Sequence, residues 1–230
     1  MSNDMDTLER RIGILFHDKR LLKEALTHRS YLNEHPEWEV PHNERLEFLG
    51  DAVLELVVTE NLFSRFKEYD EGRLTGVRAA MVNHLMLAEV AADIGLEKHL
   101  YVSRGEAQSP KRGRQATLGN AVEALIGALY LDRGYEAAKQ FVERFVLIHI
   151  PDVMREERYR DPKSLLQERV QDELQVTPTY RVLSESGPDH AKVFVVGVYF
   201  NGDFGGEGSG SSKQEAEREA AERALEHFGE

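Results

Sequence analysis

The chain contains no cysteine among its 230 residues, which excludes disulfides, thiolate metal sites and cysteine nucleophiles. It also lacks any run of about 18 apolar residues, so no membrane-spanning helix is expected. The N-terminal segment MSNDMDTLERR has no apolar stretch of the kind that signal peptides carry. These absences predict a cytoplasmic protein with no membrane partner.

An excess of positive charge is missing as well, because 29 Lys and Arg residues face 41 Asp and Glu residues, for a formal net charge of −12. Residues 161–230 hold 7 basic against 14 acidic residues, and residues 1–160 hold 22 against 27. Nucleic-acid binding normally needs a basic field. Any RNA contact must therefore come from local basic patches, backbone amides, helix N-termini or bound cations.

The first two thirds of the chain have a helical pattern. From Leu8 to about Val153 the apolar residues recur mainly at helical spacing, so we predict an all-helical domain over residues 1–153. Within it, the segment Ser109–Arg114 contains glycine and three cations, and we interpret it as a basic loop before a helix at Ala116–Leu131.

The pattern changes after Pro151. The segment Glu156–Pro162 is charged, lacks aliphatic residues and ends on a proline, so we place a linker at residues 154–160. Residues 161–230 then show the order α-β-β-β-α, with Asn201-Gly202 as a hairpin turn. The last predicted helix carries alanines that suit close packing on a three-stranded sheet, at positions 216, 220, 221 and 224.

Three acidic residues share one face of a predicted helix. Glu44, Glu47 and Asp51 are spaced i, i+3 and i+7, and like charges stacked in this way repel unless a cation neutralises them. Acids at this spacing usually form only a solvated helix face. Here the interleaved apolar residues leave only a narrow strip for solvent, since the helix also carries Leu46, Phe48, Leu49, Val53 and Leu54.

A second predicted helix offers further oxygen ligands. Asn120 and Glu123 lie at i and i+3 in a stretch that is otherwise apolar enough to be buried. A ligand set made only of oxygens favours Mg²⁺ or Mn²⁺ over Zn²⁺. The two helices together therefore predict a divalent-metal site.

The segment NERLEFLGDAVLEL at residues 43–56 resembles the signature motif of the ribonuclease III family. The similarity extends to LTHRSY at 26–31, DEG at 70–72 and VEALIGA at 122–128, and covers essentially the whole chain. The resemblance implies a dimeric, all-helical endonuclease that hydrolyses double-stranded RNA to 5′-phosphates with short 3′ overhangs, in rRNA and mRNA processing. It implies metal ligands at Glu47, Asp51, Asn120 and Glu123, with supporting acids at Glu44 and Glu71.

The expected chemistry suits these residue types. Carboxylates that hold Mg²⁺ supply an activated water and neutralise phosphate charge, so no protein nucleophile is needed. We expect Glu47 and Glu123 to be direct ligands, and Asp51 to be a ligand or to orient the attacking water. The family usually has Asp where this chain has Asn120, whose amide oxygen can ligate but brings no charge. Metal affinity and activity should therefore be lower.

The C-terminal part resembles a double-stranded-RNA-binding domain, which reads the A-form shape of the duplex. A single Lys213, followed by Gln214 and Glu215, replaces the basic run that the family tends to carry, which predicts a weaker phosphate clamp. By position, the expected RNA contacts are Gln167 and Glu168 on the first helix, Pro188, Asp189 and His190 in the loop between strands 1 and 2, and Lys213 at the start of the last helix.

Other candidate residues have two interpretations each. Phe48 is either a dimer-interface aromatic, as the resemblance implies, or an ordinary core residue. His28 could contact phosphate, but a buried structural role is favoured. The basic side chains of Lys111, Arg112 and Arg114 could contact the RNA backbone or could be solvated.

Three hypotheses follow for the whole chain. The first is a homodimeric ribonuclease III with Mg²⁺ as cofactor, in which each subunit cuts one strand of a duplex. The second is a double-stranded-RNA-binding protein that has lost cleavage through Asn120. The third is an acidic helical protein that binds a protein partner through its dimer face and does not bind duplex RNA.

Overall fold

The structure, a computed structural model, describes residues 5–188 and 192–227 and divides into two compact units, with the division between Tyr159 and Arg160. None of the helices in the described part of the chain is long and apolar enough to cross a membrane. The described helices of the first unit are α1 (Met5–Ile12), α2 (Lys19–Ala25), α3 (Arg29–Glu34), α4 (Glu44–Arg65), α5 (Glu71–Val82), α6 (His84–Asp93), α7 (Lys111–Arg133), α8 (Tyr135–Phe145) and α9 (Ile150–Arg155).

The core of the first unit is built around α4 and α7. All residues of α7 from Ala121 to Leu129 are buried, and α4 buries one stripe that includes Leu54, Val58 and Leu62. Acidic residues in the first turn of α4 and Arg65 in its last turn complement the helix dipole. The predicted all-helical domain is confirmed.

The segment predicted as a basic loop belongs instead to a helix. α7 begins at Lys111, so its first turn carries these cations, and only Ser109 and Pro110 precede it. Proline fits a helix N-terminus because its fixed φ and missing N–H cost nothing there. Gly113 lowers helix propensity without preventing a helix of 23 residues. The prediction treated these two residues as breakers and was wrong.

The second unit has the predicted α-β-β-β-α order. The strands form one antiparallel sheet in the order β1-β2-β3, and the β2–β3 turn has φ values of 52° at Asn201 and 98° at Gly202. The bounds of its elements are α10 (Pro162–Leu174), β1 (Thr179–Ser186), β2 (Val193–Phe200), β3 (Asp203–Gly210) and α11 (Lys213–His227).

Side-chain capping and small residues position α11 on the sheet. Ser212 Oγ caps the helix by accepting a hydrogen bond from the Glu215 backbone N–H at 3.1 Å, and the Glu215 carboxylate accepts one from the N–H of the preceding Ser211 at 2.9 Å. The predicted close packing of the alanines is confirmed, because all four are at most 1% exposed. They are Ala216, Ala220, Ala221 and Ala224.

Candidate metal centre and RNA interface

The candidate metal centre lies where α4 crosses α7. A Cβ built at Gly50 would lie 1.8 Å from the backbone oxygen of Glu123, and one built at Gly127 would lie 2.2 Å from the backbone oxygen of Leu46. The two backbones therefore touch, and only glycine fits at either position. This contact places the acidic face of α4 opposite the Asn120 and Glu123 turn of α7.

Glu123 is the most deeply placed acid of the centre, since only 6% of the residue is exposed. Burial raises the pKa of its carboxyl to about 8, and the negative charges of Asp51 and Glu47 contribute further. The buried acid therefore holds its proton at neutral pH in the metal-free chain. A bound cation would reverse this balance, because it favours the ionised form.

Glu47 lies half-buried across from Asn120. Burial raises the pKa of Glu47, and the charges of Glu44 and Asp51 act in the same direction. A positive charge on His84 and a hydrogen bond with the Asn120 side chain lower it. The Asn120 Oδ1 atom is buried and has no hydrogen-bond partner, so one oxygen in this centre is left for a ligand.

The two remaining acids of the α4 face lie nearer to solvent. Asp51 is exposed, and its charge acts on both Glu47 and Glu123. Glu44 has a side chain that is 47% exposed and lies 3.4 Å from the guanidinium of Arg29. The predicted ligands Glu47, Asp51, Asn120 and Glu123 therefore meet at one helix crossing.

The carboxylates do not converge on one point in the metal-free chain. Over residues 5–188 and 192–227, no group of three or more His, Cys, Asp or Glu side chains is arranged to hold a metal ion. Glu71 begins α5 and is exposed, and its charge is not among those that shift the pKa of Glu47 or Glu123.

The basic start of α7 is only partly free for RNA. Lys111 is exposed, whereas Arg114 forms an ion pair with Glu97. The side chain of Arg112 lies outside the described part of the structure. No acidic residue occupies the first turn of this helix, so the positive end of the helix dipole and the basic side chains together make the N-terminus of α7 positively charged.

The RNA-contact candidates of the second unit are solvent-facing wherever they are described. Gln167, Pro188 and Lys213 are exposed. Glu168 is exposed and forms an ion pair with Arg160. Asp189 and His190 lie outside the described residues.

The structure decides both two-way interpretations that concern burial. Phe48 is 82% exposed, so its interpretation as a core residue is wrong. His28 has a structural role, as favoured, because it caps α3 and its Nδ1 lies 2.8 Å from the Ser30 hydroxyl. Burial lowers the pKa of His28, which keeps the ring neutral at physiological pH.

Sequence reasoning missed His84, which lies beside the centre. A Cβ built at Gly119 would be 3.0 Å from the His84 Nδ1, so this residue packs against the turn of α7 that precedes Asn120. It follows the N-cap Asn83 at the start of α6. The only signal in the sequence is that N-cap, which fixes where the helix begins but not what it packs against.

Comparison with known proteins agrees with this organisation. Residues 18–150 match the family described as Ribonuclease-III-like, and residues 162–227 match the double-stranded RNA binding motif. Ribonuclease 3 of Enterococcus faecalis is 45% identical and covers 98% of both chains. Ribonuclease 3 of Symbiobacterium thermophilum is 48% identical over 93% of this chain and 90% of its own.

A solved structure shows the same likeness in the first unit. The nuclease domain of the ribonuclease III of Campylobacter jejuni is 39% identical, with a TM-score of 0.58, and the match covers 64% of this chain and 99% of that one. The chain belongs to the ribonuclease III family and is an endoribonuclease.

Proposed function

We propose that the chain cuts double-stranded RNA with Mg²⁺ as its cofactor and leaves 5′-phosphates with short 3′ overhangs, in the processing of rRNA and mRNA. The observation that carries the metal assignment is the buried Asn120 Oδ1 without a partner, beside the protonated Glu123 and the half-buried Glu47. Oxygen donors of this kind are what Mg²⁺ prefers, and Mn²⁺ could substitute.

Glu47, Asp51, Asn120 and Glu123 would hold the cation. When bound, it lowers the pKa of a coordinated water and neutralises charge on the phosphate. The residues of the chain have separate tasks around it. The buried Glu123 and the half-buried Glu47 would form the inner side of the site, and the exposed Asp51 can orient a water that enters from solvent. Glu44 and Glu71 are supporting acids by family resemblance.

RNA binding is assigned to both units. In the second unit, α10 and the β1–β2 loop would meet minor grooves, and Lys213 would meet phosphate at the N-terminus of α11. Lys163 lies 2.6 Å from Glu217, so this neighbouring cation is already neutralised and the phosphate clamp is weak. In the first unit, the positive end of α7 with Lys111 would meet the RNA backbone.

The aspartate variant of position 120 tests the metal assignment. Asn120→Asp should raise Mg²⁺ affinity roughly tenfold, since a unit charge beside a cation is worth about 1 to 4 kcal/mol. Cleavage of labelled duplex RNA should become faster at limiting Mg²⁺. The measurement is initial rate against Mg²⁺ concentration for both proteins, with matched single strands as the substrate control.

The second candidate function is a duplex-binding form with impaired cleavage. The hydrogen bond between Asn120 and Glu47 favours it, because it ties up a candidate ligand without adding charge. If the chain binds duplex RNA without cutting it and Asn120→Asp restores cleavage, the second function is correct. If neither protein cuts duplex RNA at any Mg²⁺ concentration, the metal assignment is wrong.

We further propose a homodimer formed through the exposed apolar face of α4. Phe48, Leu56 and Phe63 are 82%, 50% and 74% exposed, and their spacing places them on one side of the helix. Exposed aromatics in a contiguous patch are typical of protein interfaces. The Campylobacter jejuni structure is described as showing flexibility in a region involved in dimer formation.

A charge at position 48 should break this dimer. Phe48→Asp would bury an unpaired carboxylate in the interface, so we expect a monomer by sedimentation and the loss of paired cuts on the two RNA strands. Leu15→Asp is the matched control, since Leu15 is also exposed at 65% but lies outside α4. A dimer that persists in Phe48→Asp would show that the interface lies elsewhere.

A further inference from the structure

His84 lies at the edge of the carboxylate centre through the packing of α6 on α7. A Cβ at Gly119 would lie 3.0 Å from the His84 Nδ1 and 3.2 Å from its Cα, so the contact involves both ring and backbone. Gly119 directly precedes Asn120, so His84 packs against the residue next to a predicted metal ligand. The contact places the Nδ1 atom of the ring beside this turn of α7.

No hydrogen bond or ion pair within the described residues accounts for the position of the His84 side chain. It is exposed, and within residues 5–188 and 192–227 it makes no hydrogen bond or ion pair. Its charge nevertheless reaches Glu47. An imidazole offers an N–H donor whether it is neutral or protonated. His84 therefore presents a free donor at the rim of a site whose other groups are acids or an amide.

The start of α6 adds to this donor. Asn83 caps the helix, with its side chain accepting from the Met86 N–H at 2.9 Å and its carbonyl accepting from the Leu87 N–H at 3.0 Å. The first N–H groups of a helix have no partner within it, and its N-terminus carries partial positive charge. The ring and the helix end are therefore neighbouring groups that each favour an anion.

We propose that His84 binds a phosphate oxygen of the RNA strand that lies across the carboxylate centre, through an N–H of its imidazole ring. An RNA strand that approaches Glu44, Glu47 and Asp51 is repelled, because the phosphates and these side chains have the same sign of charge. A hydrogen-bond donor at the edge of the centre helps to hold the strand there, so that the metal is not the only group that binds it. This inference rests on duplex RNA as the substrate but not on the identity of the metal.

The test measures binding apart from cleavage. Full-length chain, His84→Ala and His84→Lys are titrated against a labelled RNA duplex in EDTA, and kcat and KM are then measured with Mg²⁺. His84→Ala should weaken duplex binding and raise KM by about 3- to 10-fold, the usual effect of one hydrogen bond to a charged group. The value of kcat should change less than twofold, and His84→Lys should keep most of the affinity.

A matched histidine separates this role from general surface charge. His17 has a side chain that is 71% exposed and lies near Asp132, at the other end of α7, so His17→Ala should bind RNA as the unmodified chain does. Thermal unfolding of all variants checks the purely structural role. Equal binding by His84→Ala and His17→Ala would overturn the proposal, as would lost affinity in His84→Lys with unchanged unfolding temperature. If the unmodified chain itself fails to bind duplex RNA, both the proposed function and this role of His84 are wrong.

Discussion

Replacing Glu123 by glutamine is expected to raise the free energy of unfolding of the metal-free chain at pH 8, and to abolish cleavage in the same protein. The folded chain holds the Glu123 proton up to about pH 8, whereas the ordinary value is 4.5. Stability from this group is therefore fully present below pH 4.5 and is lost as the pH rises through 8, because only the unfolded state ionises freely in that window. Glutamine has no proton to lose.

The size of the effect follows from the displaced pKa. One pKa unit corresponds to about 1.4 kcal/mol, so the gain in Glu123→Gln at pH 8 relative to pH 4.5 is on the order of 3–5 kcal/mol. Only 6% of Glu123 is exposed, so solvent screening reduces this little. Denaturant unfolding in EDTA at pH 4.5 and pH 8 measures this gain as the difference in the free energy of unfolding between Glu123→Gln and the unmodified chain.

The control is an exposed glutamate of the same unit that lies away from the centre and from the exposed apolar face of α4. Glu136 is exposed in the first turn of α8, so Glu136→Gln should change neither the free energy of unfolding nor the rate of cleavage. If Glu123→Gln and the unmodified chain lose stability in parallel between pH 4.5 and 8, the buried carboxyl is not what destabilises the fold.

These outcomes would show that the centre is built at a cost to stability. A buried acid that is ionised only with a cation present is unfavourable for the metal-free fold and useful for binding Mg²⁺. Added Mg²⁺ should accordingly stabilise the unmodified chain more than it stabilises Glu123→Gln, because the cation binds the folded state. The same carboxyl links stability and activity.

Local signals explain how much of this fold could be predicted from the sequence. The spacing of Glu44, Glu47 and Asp51 placed them on one helix face because helical periodicity depends on neighbours alone. The Asn201-Gly202 turn and the β-branched and aromatic residues of β2 indicated the hairpin in the same way. Strong local preferences of this kind survive folding unchanged.

Features that arise from packing between distant segments could not be predicted from local patterns. The contact between Gly50 and the Glu123 backbone joins residues 73 positions apart, and His84 meets Gly119 across 35 positions. The family motifs contain both Gly50 and Gly127, but nothing in the motifs shows that these two glycines let their helices touch. The start of α7 was misjudged for the opposite reason: Gly113 carries a local breaker signal that a helix of 23 residues overrides, and Pro110 is compatible with a helix N-terminus.

The glycine at the helix crossing supplies the second large expected effect. Gly127→Ala should destabilise the first unit by upwards of about 3 kcal/mol, since the added Cβ would lie 2.2 Å from the backbone oxygen of Leu46 and no side-chain rotation relieves a backbone clash. Denaturant unfolding measures this loss. Gly113→Ala is the control in the same helix, because its Cβ would meet Ser109 at an ordinary 3.6 Å and alanine should stabilise by up to about 1 kcal/mol.

The functional consequence follows from the same contact. If α4 and α7 must separate to admit a methyl group, Glu47 and Asp51 move away from Asn120 and Glu123 although none of the four is changed. Mg²⁺ affinity of Gly127→Ala, measured by calorimetry at a temperature where it remains folded, should then fall by about tenfold or more, as expected when metal ligands lose their positioning. A variant that is as stable as Gly113→Ala and binds Mg²⁺ normally would show that the helices can move apart freely, and that close backbone contact is not what assembles the centre.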